Sequence, residues 1–376
     1  MDHPTDRIVF GPDDVDLERS PLRTSLAALG VSTFVLGAFN PGITRLPNGN
    51  LLLMVRVAEA LKEPVRGENA YAIRALGARR YALDPYPVDN LDLRDPRKFR
   101  LPTQYHTAIG LTSLSWLLPV ETTPDGLEVL RVHYDKVIAP ELSSEEYGLE
   151  DARISLIDGV YYLTACAVSA ERHGTCLFTS RDGLNYEACG IVLDHQNKDM
   201  LFFEGKIDGR FWALTRPLGD HYFAYPTASP FHAGPSINLA VSPDGLHWRP
   251  RGAPLIRPRK GAVSTMKIGG GSQPIRTPKG WLMLYHGVAP LDMVGAYRTF
   301  WALLDSDDPS QVLRLEENQP LLEARPELTE PLKDKIYLRD VVFTTGIADG
   351  GDHYVVASGE LDLACRITHI AKEVFA

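Results

Sequence analysis

The sequence predicts an all-β fold, a five-bladed β-propeller with a large insertion near the first blade. Three observations lead to this prediction. A hairpin signature recurs five times, the spacing of its copies suits four-stranded units, and no helix-length periodic segment interrupts them. We therefore expect residues 1–376 to form a single propeller domain.

The recurring unit is a turn pair ending in glycine, followed by a short apolar or aromatic strand. Asn-Gly and Asp-Gly pairs suit the type I′ turn, whose two central residues need positive φ. Each copy is therefore predicted to be the tip of a β-hairpin. The five pairs are Asn48-Gly49, Asp158-Gly159, Asp208-Gly209, Lys279-Gly280 and Gly350-Gly351.

The spacing of the copies predicts the number of strands in each unit. The glycine-to-glycine intervals are 110, 50, 71 and 71 residues, and most copies are followed by a second hairpin. Two hairpins give a four-stranded blade. Closing five such blades into a ring removes their exposed edges, which a sandwich of the same strands would not explain.

The first interval is the longest because it contains the insertion. Segment 59–106 breaks the hairpin rhythm with Lys, Arg, Asp and Pro. Long loops on a rigid β scaffold often form the wall of a binding site, although a solvated connector fits this composition equally well.

Composition excludes several classes of partner. The 376 residues are 44% hydrophobic and 23% charged, and 39 basic against 48 acidic side chains give a net charge of −9. Nucleic acid and membrane are therefore not expected as partners, and no apolar stretch approaches the ~18 residues of a membrane span. The N-terminus lacks the pattern of a secretory signal, which predicts a cytoplasmic protein, or a periplasmic one if a signal peptide has been removed. The four cysteines are predicted to be buried thiols, and no metal or cofactor motif is present.

A polar residue stands near the predicted start of every inner strand. Residues at these positions would converge on the propeller axis, which predicts a binding site there. Strand starts are often polar simply because they are exposed, so the joint pattern carries more weight than any one position. The five positions are Asn40, Glu150-Asp151, Glu204, Ser272-Gln273 and Arg339-Asp340.

Asp151 and Glu204 belong to different copies and could face each other across the axis. Glu150 alternates with Asp151 and is expected to point elsewhere. Two opposed carboxylates suit glycoside hydrolysis, in which one protonates the leaving oxygen and the other activates water.

Cationic, aromatic and imidazole side chains flank the same strands. The cations could bind carboxylates, sugar hydroxyls or phosphate, or form ordinary ion pairs. Tyr285 could stack on a sugar or lie in the core, and His286 could act in the site or be a buried hydrogen-bonded residue. The cations are Arg56, Arg153, Lys206, Arg216 and Lys267.

Eight ordered motifs between about residues 35 and 365 make the sequence resemble glycoside hydrolase family 130. They include Asn40-Pro41 with Arg56, Glu150-Asp151-Ala-Arg153, Lys206-Ile-Asp-Gly with Arg216-Pro217, Lys267-Ile-Gly-Gly-Gly, and Gly359-Glu-Leu-Asp362. That family consists of five-bladed propellers that act on β-linked mannosides with inversion, and it contains both phosphorylases and hydrolases. The resemblance implies that Asp151 is the general acid, acting through the 3-hydroxyl of the sugar. It also implies that Asn40, Arg56, Asp340 and Asp362 line the mannosyl subsite.

One departure from the family pattern favours hydrolysis. Phosphorylases of the family commonly read Phe-Pro-Glu-Lys-Ile followed by His-Arg-Pro, whereas this chain has Phe203-Glu204-Gly205-Lys206-Ile207 followed by Thr215-Arg216-Pro217. A carboxylate near the anomeric carbon would repel phosphate and could serve as base to water. The main prediction is therefore an inverting, exo-acting β-mannosidase for β-1,2 linkages, closest to the β-1,2-mannosidases of the family, with Asp151 as acid and Glu204 as base.

Two other functions remain open. A mannoside phosphorylase would release mannose 1-phosphate and use Lys206, Arg216 and Lys267 to bind the anion. A non-catalytic sugar-binding propeller would need only the polar strand starts. The expected partner is a mannose-containing oligosaccharide, with inorganic phosphate only in the phosphorylase, and no cofactor is expected. Arg153 is predicted not to pair with the Asp151 carboxylate, since such a pair would oppose an acid role.

Overall fold

The computed structural model describes residues 5–89, 91–102, 107–219 and 221–375. The chain begins with strand β1 (Asp6–Phe10) and helix α1 (Arg23–Ala28). Blade 1 begins with β2 (Thr33–Arg45) and β3 (Leu51–Leu61). The inserted strands are β4 (Val65–Arg66), β5 (Asn69–Ala75), β6 (Tyr81–Pro87), β7 (Lys98–Pro102) and β8 (Thr107–Leu111). Blade 1 ends with β9 (Ser113–Thr122) and β10 (Val129–Val132).

Four further blades follow. Blade 2 contains β11 (Leu149–Ile157), β12 (Val160–Val168), β13 (His173–Ser180) and β14 (Glu187–Leu193). Blade 3 contains β15 (Asn197–Phe202), β16 (Phe211–Pro217), β17 (Asn238–Ser242) and β18 (Arg249–Pro250). Blade 4 contains β19 (Lys267–Gly270), β20 (Ile275–Thr277), β21 (Gly280–Ala289), β22 (Ala296–Leu304) and β23 (Val312–Leu315). Helix α2 (Pro326–Thr329) precedes blade 5, which contains β24 (Val342–Asp349), β25 (His353–Glu360) and β26 (Ala364–Ala371).

The five-bladed propeller is confirmed, and each predicted hairpin tip joins the inner strand of a blade to the next strand. Asp158 and Asp208 have φ of 50° and 49°, and the glycines after them are also left-handed, as a type I′ turn requires. The insertion also exists, but β3 continues to Leu61 and the inserted strands span 65–111 rather than 59–106. Short 3-10 turns occupy Pro12–Asp14, Leu17–Arg19, Tyr134–Lys136, Ser143–Glu145, Glu330–Lys335 and Lys372–Phe375.

Apolar side chains fill the space between neighbouring blades. Each of the five interfaces has its own buried cluster, because alternate residues of each strand face the adjacent blade. Cys166, Cys176 and Cys365 are buried thiols as predicted, whereas Cys189 is exposed.

The two ends of the chain meet in blade 5. Strand β1 pairs antiparallel with β26 and becomes the outer strand of the blade, which the hairpin repeat did not predict. Asp6 on β1 accepts two hydrogen bonds of 2.7 Å from Arg366, and Arg366 also pairs with Glu360 at 2.9 Å. Arg366 is 2% exposed, so this ion-pair network closes the ring inside the protein.

Replacing Asp6 by Asn should destabilise the whole propeller. Removing one partner of a buried ion pair leaves an uncompensated charge and costs about 3 kcal/mol. Urea unfolding of Asp6→Asn should show that loss, whereas Glu18→Gln, which breaks an exposed pair with Arg23, should change the free energy of unfolding by less than about 0.5 kcal/mol. Equal stabilities of Asp6→Asn and the parent protein would contradict this account of ring closure.

Candidate active site

A β-bulge recurs in the inner strands of blades 1, 2 and 3. In each, the ladder skips two residues, and the first of them has left-handed backbone: Asn40 (φ 49°), Asp151 (φ 52°) and Asp199 (φ 55°). A bulge bends the strand and redirects its side chain. In blade 5, Asp340 (φ 51°) precedes β24 in the same conformation. Four blades thus direct a polar side chain from the same end of the inner strand.

Side chains from blades 1 and 2 meet at this end. Asn40 donates a hydrogen bond of 2.8 Å to Asp151, and Arg56 on β3 contacts Asp151 at 3.0 Å and Glu150 at 2.9 Å. Glu150 also pairs with Lys198 at 2.8 Å. The prediction that Glu150 points elsewhere is therefore wrong, because the bulge interrupts the alternation of the strand.

The charge state of Asp151 is set by Arg56. Burial raises the pKa of Asp151, but Arg56, with smaller contributions from Arg153 and Lys198, outweighs burial and holds the pKa below its ordinary value. Arg153 donates to the backbone oxygens of Asp151 and Gly271 and forms its ion pair with Asp199, at 3.3 Å. As predicted, it does not pair with the Asp151 carboxylate.

Asp199 is a buried carboxylate between two arginines. It lies 3.3 Å from Arg153, 3.0 Å from Arg216 on β16, and 3.7 Å from His286 on β21. Arg216 approaches His286 Nε2 at 2.9 Å, so this nitrogen accepts and the ring is neutral. Burial, Arg216 and Lys267 lower the pKa of His286. Asp199 therefore fixes the positions of both guanidinium groups.

Blades 3 and 4 give the site a cationic side. Burial, Arg216 and Lys198 lower the pKa of Lys267 to about 8, and its ammonium lies 5.0 Å from the centre of the Tyr297 ring. In the part of the chain that the structure describes, Lys267 has no ion-pair partner. Lys198 and burial lower the pKa of His173 to about 4, so this imidazole is also neutral. Arg216 and Lys198 each pair with a carboxylate, so among the described residues the positive charge of Lys267 is the one left unpaired here.

Blade 5 and the insertion complete the rim. Asp340 pairs with Arg298 at 2.6 Å, and Arg97 of the insertion pairs with Asp362 at 3.3 Å. The insertion therefore contributes to the wall of the site, as one of its two sequence interpretations proposed. Nine of the predicted site residues lie at this end of the ring: Asn40, Arg56, Asp151, Arg153, Arg216, Lys267, His286, Asp340 and Asp362.

Glu204 does not face Asp151. Strand β15 ends at Phe202, so Glu204 follows the strand instead of preceding it, and Gln273 and the backbone amide of Leu156 bind its carboxylate. Five residues of strand separate Leu156 from Asp151, roughly 16 Å, whereas inverting pairs lie about 6.5–9.5 Å apart. The predicted acid and base are therefore at opposite ends of the inner strands. Gln273, also expected at the strand starts, binds the carbonyl of Ile347 at that far end.

Two other predicted residues lie outside the site. Lys206 is exposed and pairs with Asp158 at 2.8 Å, beside the hairpin tip at the far end of the strands. Tyr285 is buried, packs against Phe300, and donates its hydroxyl to the carbonyl of Glu316. It faces away from the site because it alternates with His286 along β21.

The sequence reasoning missed Lys198, Asp199 and Arg97. The distance in sequence from each hairpin tip is a signal that could have identified Asp199 as a site residue. Asn40 precedes Asn48 by 8 residues, Asp151 precedes Asp158 by 7, and Asp199 precedes Asp208 by 9, whereas Glu204 precedes Asp208 by only 4. No comparable signal marked Arg97, because an insertion has no repeat to align with.

The described residues contain neither a candidate metal site nor a helix that could span a membrane. No group of three or more His, Cys, Asp or Glu side chains there is arranged to hold a metal ion. No helix there is long and apolar enough to cross a membrane.

Comparison with known proteins identifies relatives over most of the chain. A family model for glycoside hydrolase family 130, described as beta-1,4-mannooligosaccharide phosphorylase, matches residues 100–375. A beta-1,2-mannobiose phosphorylase of Listeria innocua is 31% identical over 358 residues, which cover 89% of both chains. A 1,2-beta-oligomannan phosphorylase of Thermoanaerobacter is 33% identical over 242 residues, covering 63% of this chain and 73% of that protein.

Solved structures share the fold. The Listeria innocua phosphorylase in complex with beta-1,2-mannobiose superposes with a TM-score of 0.80, at 28% identity and 98% coverage of both chains. A putative glycosidase of Bacteroides thetaiotaomicron, at 18% identity, has a TM-score of 0.62 and covers 89% of this chain and 87% of its own. The second likeness concerns the fold alone.

These findings correct the main functional prediction. The curated relatives described above are phosphorylases, and the glutamate that favoured hydrolysis lies far from Asp151. The prediction of a β-mannosidase with Glu204 as base is therefore wrong. The motif substitution at Glu204 would favour hydrolysis only if that residue lay in the site, and Glu204 lies outside it.

Glu204 should instead affect the pH dependence of stability. Burial raises its pKa to about 7, above the ordinary value near 4.5, so the folded state holds the proton more tightly than the unfolded chain. This contribution is fully present below about pH 4.5 and is lost as the pH rises through 7. Above pH 7, Glu204→Gln should exceed the parent protein in stability by roughly 1–3 kcal/mol in urea unfolding.

The same variant tests the placement of Glu204. Its turnover of mannosides should stay within about twofold of the parent rate, because a residue outside the site does not touch the reacting atoms. Glu187→Gln, a change at an exposed glutamate of β14, is the matched control and should alter neither property. A loss of turnover of about 10²-fold in Glu204→Gln would return Glu204 to the mechanism.

Proposed function

The chain belongs to glycoside hydrolase family 130, and from this premise we propose that it is an inverting phosphorylase of β-1,2-linked mannosides. The family makes the protein an enzyme that acts on mannosides. What we propose beyond the family is that phosphate is the attacking group, that the linkage is β-1,2, and that one side of the site binds phosphate and the other binds the sugar.

The observation that carries the proposal is the uncompensated positive charge beside Asp151. Around Asp151 and Asp199, leaving aside the rim pair of Arg298 with Asp340, five cations of blades 1 to 4 face three carboxylates, an excess of two positive charges. The cations are Arg56, Arg153, Lys198, Arg216 and Lys267, and the carboxylates are those of Glu150, Asp151 and Asp199. A phosphate dianion matches that excess, whereas water would leave it uncompensated in a buried site.

The opposite side of the site suits a sugar. Asn40, Asp340 and Asp362 offer oxygens and an amide at the rim of blades 1 and 5, and carboxylates are strong acceptors for hydroxyl donors. The Asn40 side-chain oxygen is buried without a hydrogen-bond partner among the described residues, and a sugar hydroxyl would supply one. We assign the mannosyl unit to this side.

The reaction follows from these two sides. A phosphate oxygen, oriented by Lys198, Arg216 and Lys267, forms a bond to the anomeric carbon. The glycosidic bond breaks on the opposite face, and its electron pair stays with the leaving oxygen. That oxygen receives a proton derived from Asp151, directly or through a sugar hydroxyl. The products are α-mannose 1-phosphate and a mannoside shorter by one unit.

Asp151 must gain a proton before it can donate one. Arg56 keeps it ionised in the free protein. A bound phosphate brings negative charge into the same pocket, and substrate excludes water, and both effects raise the pKa of a carboxyl group. The protonation of Asp151 is therefore coupled to phosphate binding, which would suppress proton donation while the anion site is empty.

The linkage is proposed from the relatives. A beta-1,2-mannobiose phosphorylase and a 1,2-beta-oligomannan phosphorylase both exceed 30% identity with this chain. The family model carries a β-1,4 description, and a β-1,4-mannooligosaccharide phosphorylase of Ruminococcus albus is 27% identical over 46% of the chain. The longer and more similar matches favour β-1,2 linkages.

Incubation with β-1,2-mannobiose tests the proposal directly. With inorganic phosphate, the protein should release mannose and α-mannose 1-phosphate in equal amounts, as measured by ³¹P NMR and sugar chromatography. Without phosphate, turnover should fall by at least about 10²-fold, because the nucleophile is missing. Mannose release at the same rate without phosphate would refute phosphorolysis.

Lys267 should control phosphate affinity in a pH-dependent way. Its pKa of about 8 means that the ammonium loses its proton as the pH rises through 8, and the anion then loses one charge partner. The KM for phosphate should therefore rise above about pH 8. In Lys267→Met it should be about tenfold higher at pH 7, with little further dependence near pH 8.

A control in the loop before β19 separates charge from folding. Lys260 binds the carbonyl of Thr227 at the surface, and Lys260→Met should leave the KM for phosphate unchanged at all pH values. An unchanged phosphate KM in Lys267→Met would remove Lys267 from the anion site.

A further inference from the structure

One residue of the insertion reaches across the site to blade 5. Arg97 precedes β7, and its Nη1 lies 3.3 Å from the Asp362 carboxylate in the turn between β25 and β26. The rest of its guanidinium is held by Asp95, with hydrogen bonds of 2.9 and 3.0 Å. The Asp95 pair fixes the orientation of the fork and leaves Nη1 directed at Asp362.

The backbone of Asp362 is fixed independently of Arg97. The residue is left-handed (φ 50°), and its carbonyl accepts the Tyr337 hydroxyl at 3.1 Å. Strand β2 passes so close that a Cβ at Gly37 would lie 2.4 Å from the Asp362 carbonyl oxygen. The carboxylate itself makes one ion pair within the described residues, and that pair is with Arg97.

Asp362 lies in a crowded electrostatic environment. Burial raises its pKa, and Glu150 and Asp151 add to this, while Arg97 and Arg56 oppose it. Arg56 is already bound to Glu150 and Asp151, so Arg97 is the cation most available to Asp362. The charged or titratable groups that act on Asp362, or on which it acts, are Arg56, Arg97, Glu150, Asp151, Tyr297 and Tyr337.

We propose that Arg97 is a positioning residue, which holds the Asp362 carboxylate toward the hydroxyls of the mannosyl unit and makes the insertion part of the sugar subsite. This inference rests on the proposed assignment of blades 1 and 5 to the sugar. Arg97 acts through Asp362, and the phosphate side, on blades 3 and 4, does not depend on it.

The test compares two arginines of the same segment. Arg97→Met removes the contact with Asp362, whereas Arg94→Met removes an exposed arginine whose ion pair is with Asp92. For Arg97→Met we expect the KM for β-1,2-mannobiose to rise about tenfold or more, as for a lost charge-assisted hydrogen bond, with the KM for phosphate within about twofold. Arg94→Met should match the parent protein in both values.

Two further readouts distinguish positioning from a general structural role. Without Arg97 the pKa of the Asp362 carboxyl should be higher, so the carboxylate becomes protonated earlier as the pH is lowered. On acidification, the mannobiose affinity of Arg97→Met should therefore be lost at a higher pH than that of the parent protein. Arg97→Lys, which restores the charge without the fork, should recover part of the affinity. Equal increases in both KM values, or an unshifted pH profile, would overturn the proposal.

Calorimetric titration of mannobiose in the absence of phosphate keeps this inference separate from the proposed function. If the parent protein shows no phosphate-dependent turnover, the proposed function fails, but the affinity difference between Arg97→Met and Arg94→Met is still measured. Equal mannobiose affinities of these two variants would refute the role of Arg97, whatever the reaction is.

Discussion

A left-handed polar residue at a bulge in the inner strand is the constraint on which the site depends. In a regular strand Glu150 and Asp151 would point to opposite faces, but the bulge brings both to Arg56. The same device places Asn40 and Asp199. It requires close packing, because a Cβ at Gly359 would lie 1.9 Å from the Asn40 side-chain oxygen. The propeller therefore obtains a convergent polar site by repeating one local distortion.

Charge separation follows from where these residues fall around the ring. Blades 1 and 5 contribute Asn40 and two carboxylates, blades 3 and 4 contribute cations, and between them Arg56 of blade 1 pairs with the carboxylates of blade 2. Asp199 is a carboxylate on the otherwise cationic side of the site. It is buried between Arg153 and Arg216, which indicates a structural role. A carboxylate shared by Arg153 and Arg216 holds both guanidinium groups in place, and it neutralises only part of their charge. The remaining charge faces the position where an anion would attack.

The sequence predicted the fold because its signals are local. A turn pair ending in glycine is specified by two residues, so five such pairs located the five hairpins without knowledge of tertiary contacts, although only Asp158-Gly159 and Asp208-Gly209 have positive φ at both residues. Asn40, Asp151 and Asp340 followed from their position relative to those turns. The pairing of β1 with β26 could not be predicted in this way, because it joins the two ends of the chain and depends on Asp6, Glu360 and Arg366 meeting in space. Arg97 could not be predicted either, because the insertion has no repeat to align with and its contact with Asp362 depends on tertiary structure.

The choice between water and phosphate shows why one residue is a weak guide to mechanism. Glu204 suggested repulsion of an anion, but a carboxylate at the far end of β15 has little influence on a charge that lies roughly 16 Å away behind folded protein. What an anion meets is the summed charge of its pocket, and there burial, Arg216 and Lys198 together lower the pKa of Lys267. Under the proposed phosphorolysis, a bound dianion would offset the repulsion between these cations and raise the pKa of Lys267. Water carries no net charge and would leave these cations unbalanced, so the charge of the pocket supports the proposal of an anionic nucleophile.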